Sequence, residues 1–519
     1  MEPIISPPPD PTPYPLDHIV ELASARGAGA APALVLRDIT LSHDALGERV
    51  DWLAGWLKRT VPESGARIAS WAAKGELTCL LPLAAARAGL VHVPINPLLK
   101  RAQVAHILAD SGAKMLIATA SRIKTLDPGD TADGCFVIEE QAAMEAALEG
   151  RTTQGPSRAD PDTLAAILYT SGSTGKPKGV MLSHANLWLG AVSVAHYLRL
   201  APDDVTLAVL PLAFDYGQNQ LLSTWYAGGS VVPLDFLFPR DVVKACARHG
   251  VTTLAAVPPL WVQLAETEWP QQSSATLRRL TNSGGALTRD LVTDLRSMFA
   301  KADLYPMYGL TEAFRSTYLD PSLVDDHPTS MGTAIPFAEI LVLDDAGQIA
   351  GPGEEGELVH CGPLVAQGYW QDEARTAERF RPAPPQSRYG GMAVFSGDRV
   401  KRDNDGLLYF VGRRDAMIKS AGNRISPQEI EEAATATGLV AEAVAIGVPD
   451  ARLGHAVHLV VRGTGDKAED RRLVQELRKR LPNFMQPQQV HWRGTLPLNP
   501  NGKIDRTTLH RELLTESGR

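Results

Sequence analysis

The stretch ELTCLLPLAAARAGLVHVPINPLLKRAQVAHILADSGAKMLIAT, Glu76 to Thr119, decides the fold class. Residues 76–89 are rich in Ala and Leu at helix length, VHVPI is a short apolar run, 100–110 reads as a second helix, and KMLIAT returns to strand. Such alternation is the rhythm of a sheet with crossover helices. It continues with a helix in SHANLWLGAVSVAHYL, a strand in VTLAVLPL, a helix after Tyr216, a strand in GSVVPL, a helix from Pro239 and a strand in TTLAAVPP. Beyond Pro328 the pattern breaks into short β runs separated by Gly and Pro, as in AEILVLDDAGQIAGPGEEGELVHCGP, which read as antiparallel strands and turns. After Gly412 come a helix at 427–437, strands in VAEAVAIGVP and HAVHLVVRG, a charged helix at 467–480 and a last helix after Asp505. The expected class is α/β: a large N-terminal domain, residues 1–411, of two α/β subdomains plus a β-rich subdomain, followed by a small mobile α+β domain, residues 412–519, with the boundary at 411–415.

The chain's 519 residues exceed the roughly 250–300 that one core organises. With 44% hydrophobic and 21% charged residues, it lies far from the composition of disordered chains. Lys plus Arg number 51 against 59 Asp plus Glu, so the net charge of -8 provides no field for nucleic acid or an anionic membrane, and an anionic ligand must be met by a local site. Cys79, Cys135, Cys246 and Cys361 are scattered, without zinc-ligand spacing, and read as reduced structural thiols suited to the cytoplasm. The leading MEPIISPPPDPTPYPL has neither a basic start nor a continuous apolar stretch, so it reads as an extended arm rather than a signal peptide. No apolar run has the length of a membrane span.

The strongest chemical signal is LYTSGSTGKPKG at 168–179. Thr170, Ser171, Gly172, Ser173, Thr174 and Gly175 offer hydroxyl donors and freely turned backbone N–H groups, and Lys176 and Lys178 add positive charge, a combination suited to cradling phosphates. Lys176 is followed by Pro177 and a β-like run instead of a helix, which excludes a Walker A loop and makes this a connection between two strands. Its bland alternative is a flexible surface loop.

LYTSGSTGKPKGVMLSH resembles the phosphate-loop signature of the adenylate-forming superfamily, which includes acyl-CoA synthetases, stand-alone amino-acid adenylation enzymes and luciferases. Further segments resemble that family's motifs in order: SGGA (Ser283, Gly284, Gly285, Ala286) the adenine-contacting turn, MYGLTE (307–312) the phosphate and Mg²⁺ segment, FSGDRV (395–400) the ribose segment, GRRDAMIKSAGNRISPQEIE (412–431) the hinge region, and PLNPNGKIDR (497–506) the C-terminal lysine loop. FDYGQNQL and YGLTEAFRSTYLD are similar to ligases associated with exosortase gene clusters and to stand-alone amino-acid adenylating enzymes.

The resemblance implies ATP, Mg²⁺ and a pantetheine thiol, from CoA or from a carrier protein, as reaction partners of a small carboxylic acid. It implies that Tyr308, Gly309 and Thr311 meet the nucleotide, Glu312 holds Mg²⁺, Asp398 accepts from the ribose hydroxyls, Arg413 meets ribose and phosphate, and Lys503 bridges carboxylate and α-phosphate during adenylation. Asp415 matches the hinge, and Lys419 and Arg424 match positions that face the site in the second orientation. Read from the residues alone, a carboxylate such as Glu312 is the hard oxygen ligand that Mg²⁺ takes. Asp398 follows a Gly at a strand end, where a turn-forming Asp is the plainer role, and Lys503 follows the turn NPNG, which sets it at a loop tip. The alternatives to an acid–thiol ligase are a luciferase-like oxygenase and a catalytically silent nucleotide-binding regulator. The sequence retains every charged motif residue that the regulator would be expected to lose.

The substrate reading rests on Phe214, Asp215, Ser283 and Arg315. Fatty-acyl and aryl ligases commonly carry an aromatic followed by His after this strand, whereas Asp215 stands here, as in many amino-acid-activating members. A carboxylate in an apolar acyl pocket calls for a cation, either a substrate ammonium or Arg315. Asp215 otherwise caps the helix that starts near Tyr216. The expectation is a small acid with an amino or other polar group, with medium- or long-chain fatty acids as the alternative.

Overall fold

The computed structural model describes residues 8–170, 177–413, 418–420, 423–450, 453–465 and 467–517. The stretch 76–119 becomes the helix Glu76–Ala88, the strand Val91–Pro94, the helix Arg101–Ser111 and the strand Met115–Ala118. Its strands lie in a six-stranded sheet ordered Phe136–Glu139, Met115–Ala118, Arg67–Trp71, Val91–Pro94, Leu164–Thr170 and Lys178–Ser183. The first five are parallel, and the sixth turns back antiparallel with Thr170 opposite Lys178. The segment 171–176 therefore connects paired neighbouring strands.

The second sheet has nine strands around a parallel centre of Asp303–Tyr308, Arg279–Asn282, Thr253–Ala256, Val205–Ala208, Ser230–Pro233 and Pro32–Val35. Short antiparallel strands close both edges. Thr253–Ala256 is buried throughout and Arg279–Asn282 likewise, as strands covered on both faces require. The apolar runs 205–212 and 252–259 end as strands at Ala208 and Ala256, because Pro211, Pro258 and Pro259 cannot extend a central ladder. The rest of each run leads instead into a helix, Asp215–Ala227 or Pro258–Ala265. One apolar core runs through both sheets.

At the N-terminus, Leu16–Glu21 forms a 3-10 turn pinned by buried Arg87, whose guanidinium bonds Asp17 at 3.0 Å and Glu21 at 2.6 Å and also pairs with Asp51. Breaking such a buried network by removing one partner typically costs about 3–5 kcal/mol. The β-rich part is an antiparallel sheet of Glu339–Leu343, Glu355–Cys361, Met392–Arg402, Phe380–Pro382 and Leu408–Arg413. From Ile418 onward a fourth sheet, with Gly454–Arg462 at its centre, packs against Pro427–Thr435, Lys467–Arg480 and Arg506–Ser517 over cores of its own. Among the described residues, no helix is long and apolar enough to cross a membrane, and none of the four cysteines is in a disulfide.

Candidate active site

In a parallel sheet, ligands gather beyond the carboxyl ends of the strands. Beyond Ala208, Asn282 and Tyr308 lie the three segments that carry Phe214 and Asp215, Ser283 to Ala286, and Gly309 to Arg315. The hairpin Leu164–Thr170/Lys178–Ser183 supplies a fourth. Lys178 Nζ donates to Glu312 Oε1 at 3.1 Å and to the Tyr369 hydroxyl at 2.8 Å, and lies 4.2 Å from the Tyr369 ring centre. The Tyr369 hydroxyl in turn donates to Glu312 Oε1 at 2.6 Å. Burial pushes the Glu312 carboxyl up, but the Lys178 ammonium and the Tyr369 hydroxyl outweigh it and hold Glu312 below its ordinary value. It is thus an anion at neutral pH. The Thr170 hydroxyl, at the mouth of the hairpin, is buried with no partner.

Among the described residues, no cluster of three or more His, Cys, Asp or Glu could hold a metal by itself. A single ionised Glu312 fits Mg²⁺ all the same, because this ion keeps most of its waters and is usually held by one or two carboxylates together with substrate phosphates. The nucleotide's charge, the Thr170 donor and the Lys178 ammonium are mutually suited in the same way.

Asp398 departs from the expected strand end. It lies inside Met392–Arg402, directly opposite Arg413, at a register shift against Glu355–Cys361 where Gly397 takes φ +71°. The bulge re-aims the side chain instead of forming a turn. Asp398 Oδ2 accepts from the Tyr308 hydroxyl at 2.5 Å, and Oδ1 lies 3.4 Å from Arg413 Nε. Tyr308 is correspondingly pushed well above its ordinary value by burial and by the Asp398 charge. At the turn Ser283 to Ala286, Asn282 Nδ2 donates to Gly285 O at 2.9 Å, and Gly284 sits at φ +84°, where any side chain is strained. A Cβ on Gly284 would also stand 2.5 Å from Lys503 Cε, so the turn leaves the lysine its room.

Lys503 reaches this place from the far end of the chain. Its turn is closed by Asn499 N donating to Lys503 O at 2.7 Å, and Asn96 Nδ2 docks that turn by donating to Pro500 O at 2.8 Å and Asn501 Oδ1 at 3.0 Å. The ammonium lies 4.7 Å from the Phe214 ring centre, and burial pulls its pKa down against the opposing pull of Asp215. It is therefore docked in the site, not held out at a free loop tip.

Asp215 is the first residue of its helix, whose N-cap is Phe214 and has no side-chain cap bond, so the capping role is not the one observed. Its buried carboxylate accepts from Thr311 Oγ1 at 3.1 Å. Thr311, expected to meet phosphate, thus has its hydroxyl on Asp215. Burial pushes the Asp215 carboxyl up, and Arg315, Lys503 and the Thr311 hydroxyl oppose the rise. Arg315 is not its bonded partner: it donates to Ser283 Oγ at 3.0 Å and stands 4.5 Å over the Tyr216 ring. Phe314, at φ +59°, turns the chain so that Arg315 points back beneath Gly309.

Ser171, Gly172, Ser173, Thr174, Gly175, Lys176 and Asp415 lie outside the described residues. Lys419 and Arg424 stand opposite each other in the pair Ile418–Ser420/Asn423–Ile425. Ala286 is exposed at the turn's end. Sequence reasoning missed Tyr369 and Asn96. Tyr369 lies 191 residues from Lys178, and Asn96 lies 404 from Pro500, so no local spacing could reveal either. The one available hint at Asn96 was a polar residue closing the buried run VHVPI.

Comparison with known proteins agrees with this geometry. The AMP-binding enzyme family matches residues 22–370, and the AMP-binding enzyme C-terminal domain matches 429–503. A feruloyl-CoA synthase from Amycolatopsis sp is 31% identical over 92% of this chain and 95% of its own length. The L-proline–[L-prolyl-carrier protein] ligase of Pseudomonas fluorescens is 30% identical over 93% of this chain and 96% of its own. A probable non-canonical nonribosomal peptide synthetase, CymA of Salinispora arenicola, is 31% identical over 94% of this chain, which spans only 6% of that protein. The ATP-bound crystal structure of MatB from Rhodopseudomonas palustris superposes with a TM-score of 0.86 at 26% identity, over 96% of this chain and 99% of that one. The chain belongs to the AMP-binding enzyme family and is an AMP-forming acid–thiol ligase.

Proposed function

We propose that this ligase activates a small carboxylic acid bearing an amino or other polar group and passes it to a pantetheine thiol, of CoA or of a carrier protein. In the first step a carboxylate oxygen of the acid attacks the α-phosphorus of ATP, the bond from that phosphorus to the β-phosphate bridging oxygen breaks, and pyrophosphate leaves. In the second, the thiol sulfur attacks the acyl carbon, the acyl–oxygen bond breaks, and AMP leaves with that oxygen while the thiol proton passes to solvent. The protein contributes position and charge. Thr170 to Lys178 cradle the phosphates, Asp398 and Arg413 take the ribose, Ser283 to Ala286 flank the base, and Lys503 neutralises charge building at the α-phosphate. Mg²⁺, held by Glu312, would neutralise phosphate charge. Asp215 receives the substrate ammonium, and Arg315 and Ser283 border the acyl pocket. Residues 412–519 act as the mobile domain that pivots at Asp415 between the steps and brings Lys419 and Arg424 to the site. The reading sets the enzyme in the cytoplasm, in keeping with four cysteines free of disulfides.

The observation that carries it is the meeting of Lys503 and Asp215 beside Phe214: a buried carboxylate within the field of the reaction's lysine, in a pocket too charged for a plain alkyl tail. ATP–pyrophosphate exchange with amino acids, hydroxy acids, aryl acids and fatty acids tests it, followed by thioester formation with CoA and with a phosphopantetheinylated carrier. Exchange led by amino- or hydroxy-bearing acids is the expected result. Preference for medium- or long-chain fatty acids, with no amino acid accepted, would overturn the substrate class.

A further inference from the structure

Lys503 has a flexible four-carbon stem, so its ammonium serves one reacting atom only if the backbone beneath it is fixed. The turn that carries it is fixed within itself: Asn499 Oδ1 accepts from Asn501 N at 2.9 Å and from Lys503 N at 3.1 Å, and Gly502 N donates to Asn499 O at 2.9 Å. The ammonium end rests on the Phe214 ring at 4.7 Å, a contact that fixes little direction. What ties the turn to the N-terminal part is Asn96. This residue is 6% exposed and stands two residues past the strand Val91–Pro94, which pairs with Leu164–Thr170, the first strand of the hairpin that carries Lys178. Asn96 Oδ1 accepts from Leu98 N at 2.9 Å, and this bond turns the amide so that Nδ2 faces the lysine turn. The Lys503 turn and the Lys178 hairpin are thus referred to neighbouring strands of one sheet. A second pair across the same two regions, Arg462 with Glu266, is partly exposed and lies at the end of Gly454–Arg462, outside the turn.

Resting on the adenylating role given to Lys503 above, we propose that Asn96 is a positioning residue of the first half-reaction only: by donating to Pro500 O and Asn501 Oδ1 it sets where the Lys503 ammonium stands. The bonds it makes run to a backbone carbonyl and an amide oxygen, and water takes over both sides when the turn withdraws for the second step. The contact is therefore made and released without leaving a charge unpaired. Because it acts through a group that meets charge building in the transition state, its loss falls on kcat and leaves substrate binding.

The test is ATP–pyrophosphate exchange with the fastest acid of the panel above, beside thioester formation from that acid's supplied adenylate with the thiol that serves wild type. Asn96→Ala should lower kcat for exchange by about 10–100-fold, the scale of a small misplacement at a reacting centre. KM for ATP and for the acid should stay within about threefold, and thioester formation within about twofold. Asn501→Ala removes one acceptor from the other side and should move exchange in the same direction, which covers the case that Asn96→Ala folds poorly. With Lys503→Ala already in place, Asn96→Ala should cost no more than about twofold further, since contacts that act as one unit are not additive. Glu266→Gln, which loosens the same two regions away from the turn, should lower exchange by less than about threefold. Equal loss of both half-reactions in Asn96→Ala and Asn501→Ala, exchange unmoved by both, a full further loss on top of Lys503→Ala, or a loss in Glu266→Gln as large as in Asn96→Ala overturns the inference and leaves the ligase reading standing. Exchange that survives Lys503→Ala overturns the role given to that lysine, and this inference with it.

Discussion

The proposed nucleotide side of the site and the proposed acyl side are built on opposite terms. On the first, each charged group already has a partner from the chain itself: Lys178 with Glu312 and Tyr369, Asp398 with Tyr308 and Arg413. On the second, Asn219, Gln220, Thr253 and Arg315 bury polar atoms that are bonded to nothing. A site that serves one invariant ligand gains from preorganised donors and acceptors, because the protein meets the cost of orienting them at folding and not at reaction. Buried polar groups without a partner from the chain are met instead by what enters the small space beside them, an ordered water or a ligand.

That contrast can be broken most forcefully at the one residue that belongs to both sides. Lys503→Ala should lower adenylation by about 10²–10³-fold, while thioester formation from supplied acyl-adenylate stays within about tenfold; equal loss of both half-reactions would show that the lysine serves no single step. On the nucleotide side, Asp398→Ala removes a charged acceptor and should raise the KM for ATP by about 10–100-fold, matching the roughly 1.5–3 kcal/mol of a hydrogen bond to a charged group. With 2′-deoxy-ATP the deficit should shrink, and an identical deficit with both nucleotides would reduce Asp398 to a support for its bulge.

On the acyl side, His360 Nδ1 bonds the Ser316 hydroxyl next to Arg315, its Nε2 has no partner, and burial pulls its pKa down to about 3. In the unfolded chain it takes a proton near 6.5 and in the folded one it does not, so its contribution to stability is whole above 6.5 and is lost as pH falls toward 3. Denaturant melts across that window should therefore show a slope up to about 1.4 kcal/mol per pH unit shallower in His360→Asn than in wild type. Parallel slopes would mean that His360 charges in place. The smallest effect belongs to Tyr369→Phe, which removes one hydroxyl from a network that keeps its Lys178–Glu312 pair. A rise in the KM for MgATP of about 2–10-fold is expected, from the roughly 0.5–1.5 kcal/mol of a single hydrogen bond. A loss as large as that of Asp398→Ala would place Tyr369 among the groups that touch the nucleotide.

Much of this was legible in order along the chain. The helix–strand alternation of 76–119, the turn from parallel to antiparallel text after Pro328, and the helices at 427, 467 and 506 are found where periodicity and Gly/Pro punctuation put them. Local periodicity survives folding because burial on one or both faces of a strand or helix imposes it. The misreadings have the same source. Asp398, expected at a strand end after Gly397, lies inside Met392–Arg402, because Glu355–Cys361 pairs across it with a bulge. Asp215 looks like a helix cap, yet it starts the helix itself and bonds Thr311 from a segment 96 residues away.

From residue type and spacing alone come the layers, their order and the polar side chains offered for the proposed site: the hydroxyls and lysines of 168–179, the carboxylates Glu312 and Asp398, and Lys503 in a late turn. Those are local properties of residue type and spacing, and short-range sterics and burial patterns read them directly. Only the tertiary structure decided which of these groups meet. Tyr369 on Glu312, Asn96 holding the Lys503 turn, and Arg315 on Ser283 over the Tyr216 ring depend on strand order across sheets and on contacts between residues far apart in the chain. No local preference encodes such contacts, because their energy is gained only when the whole core closes.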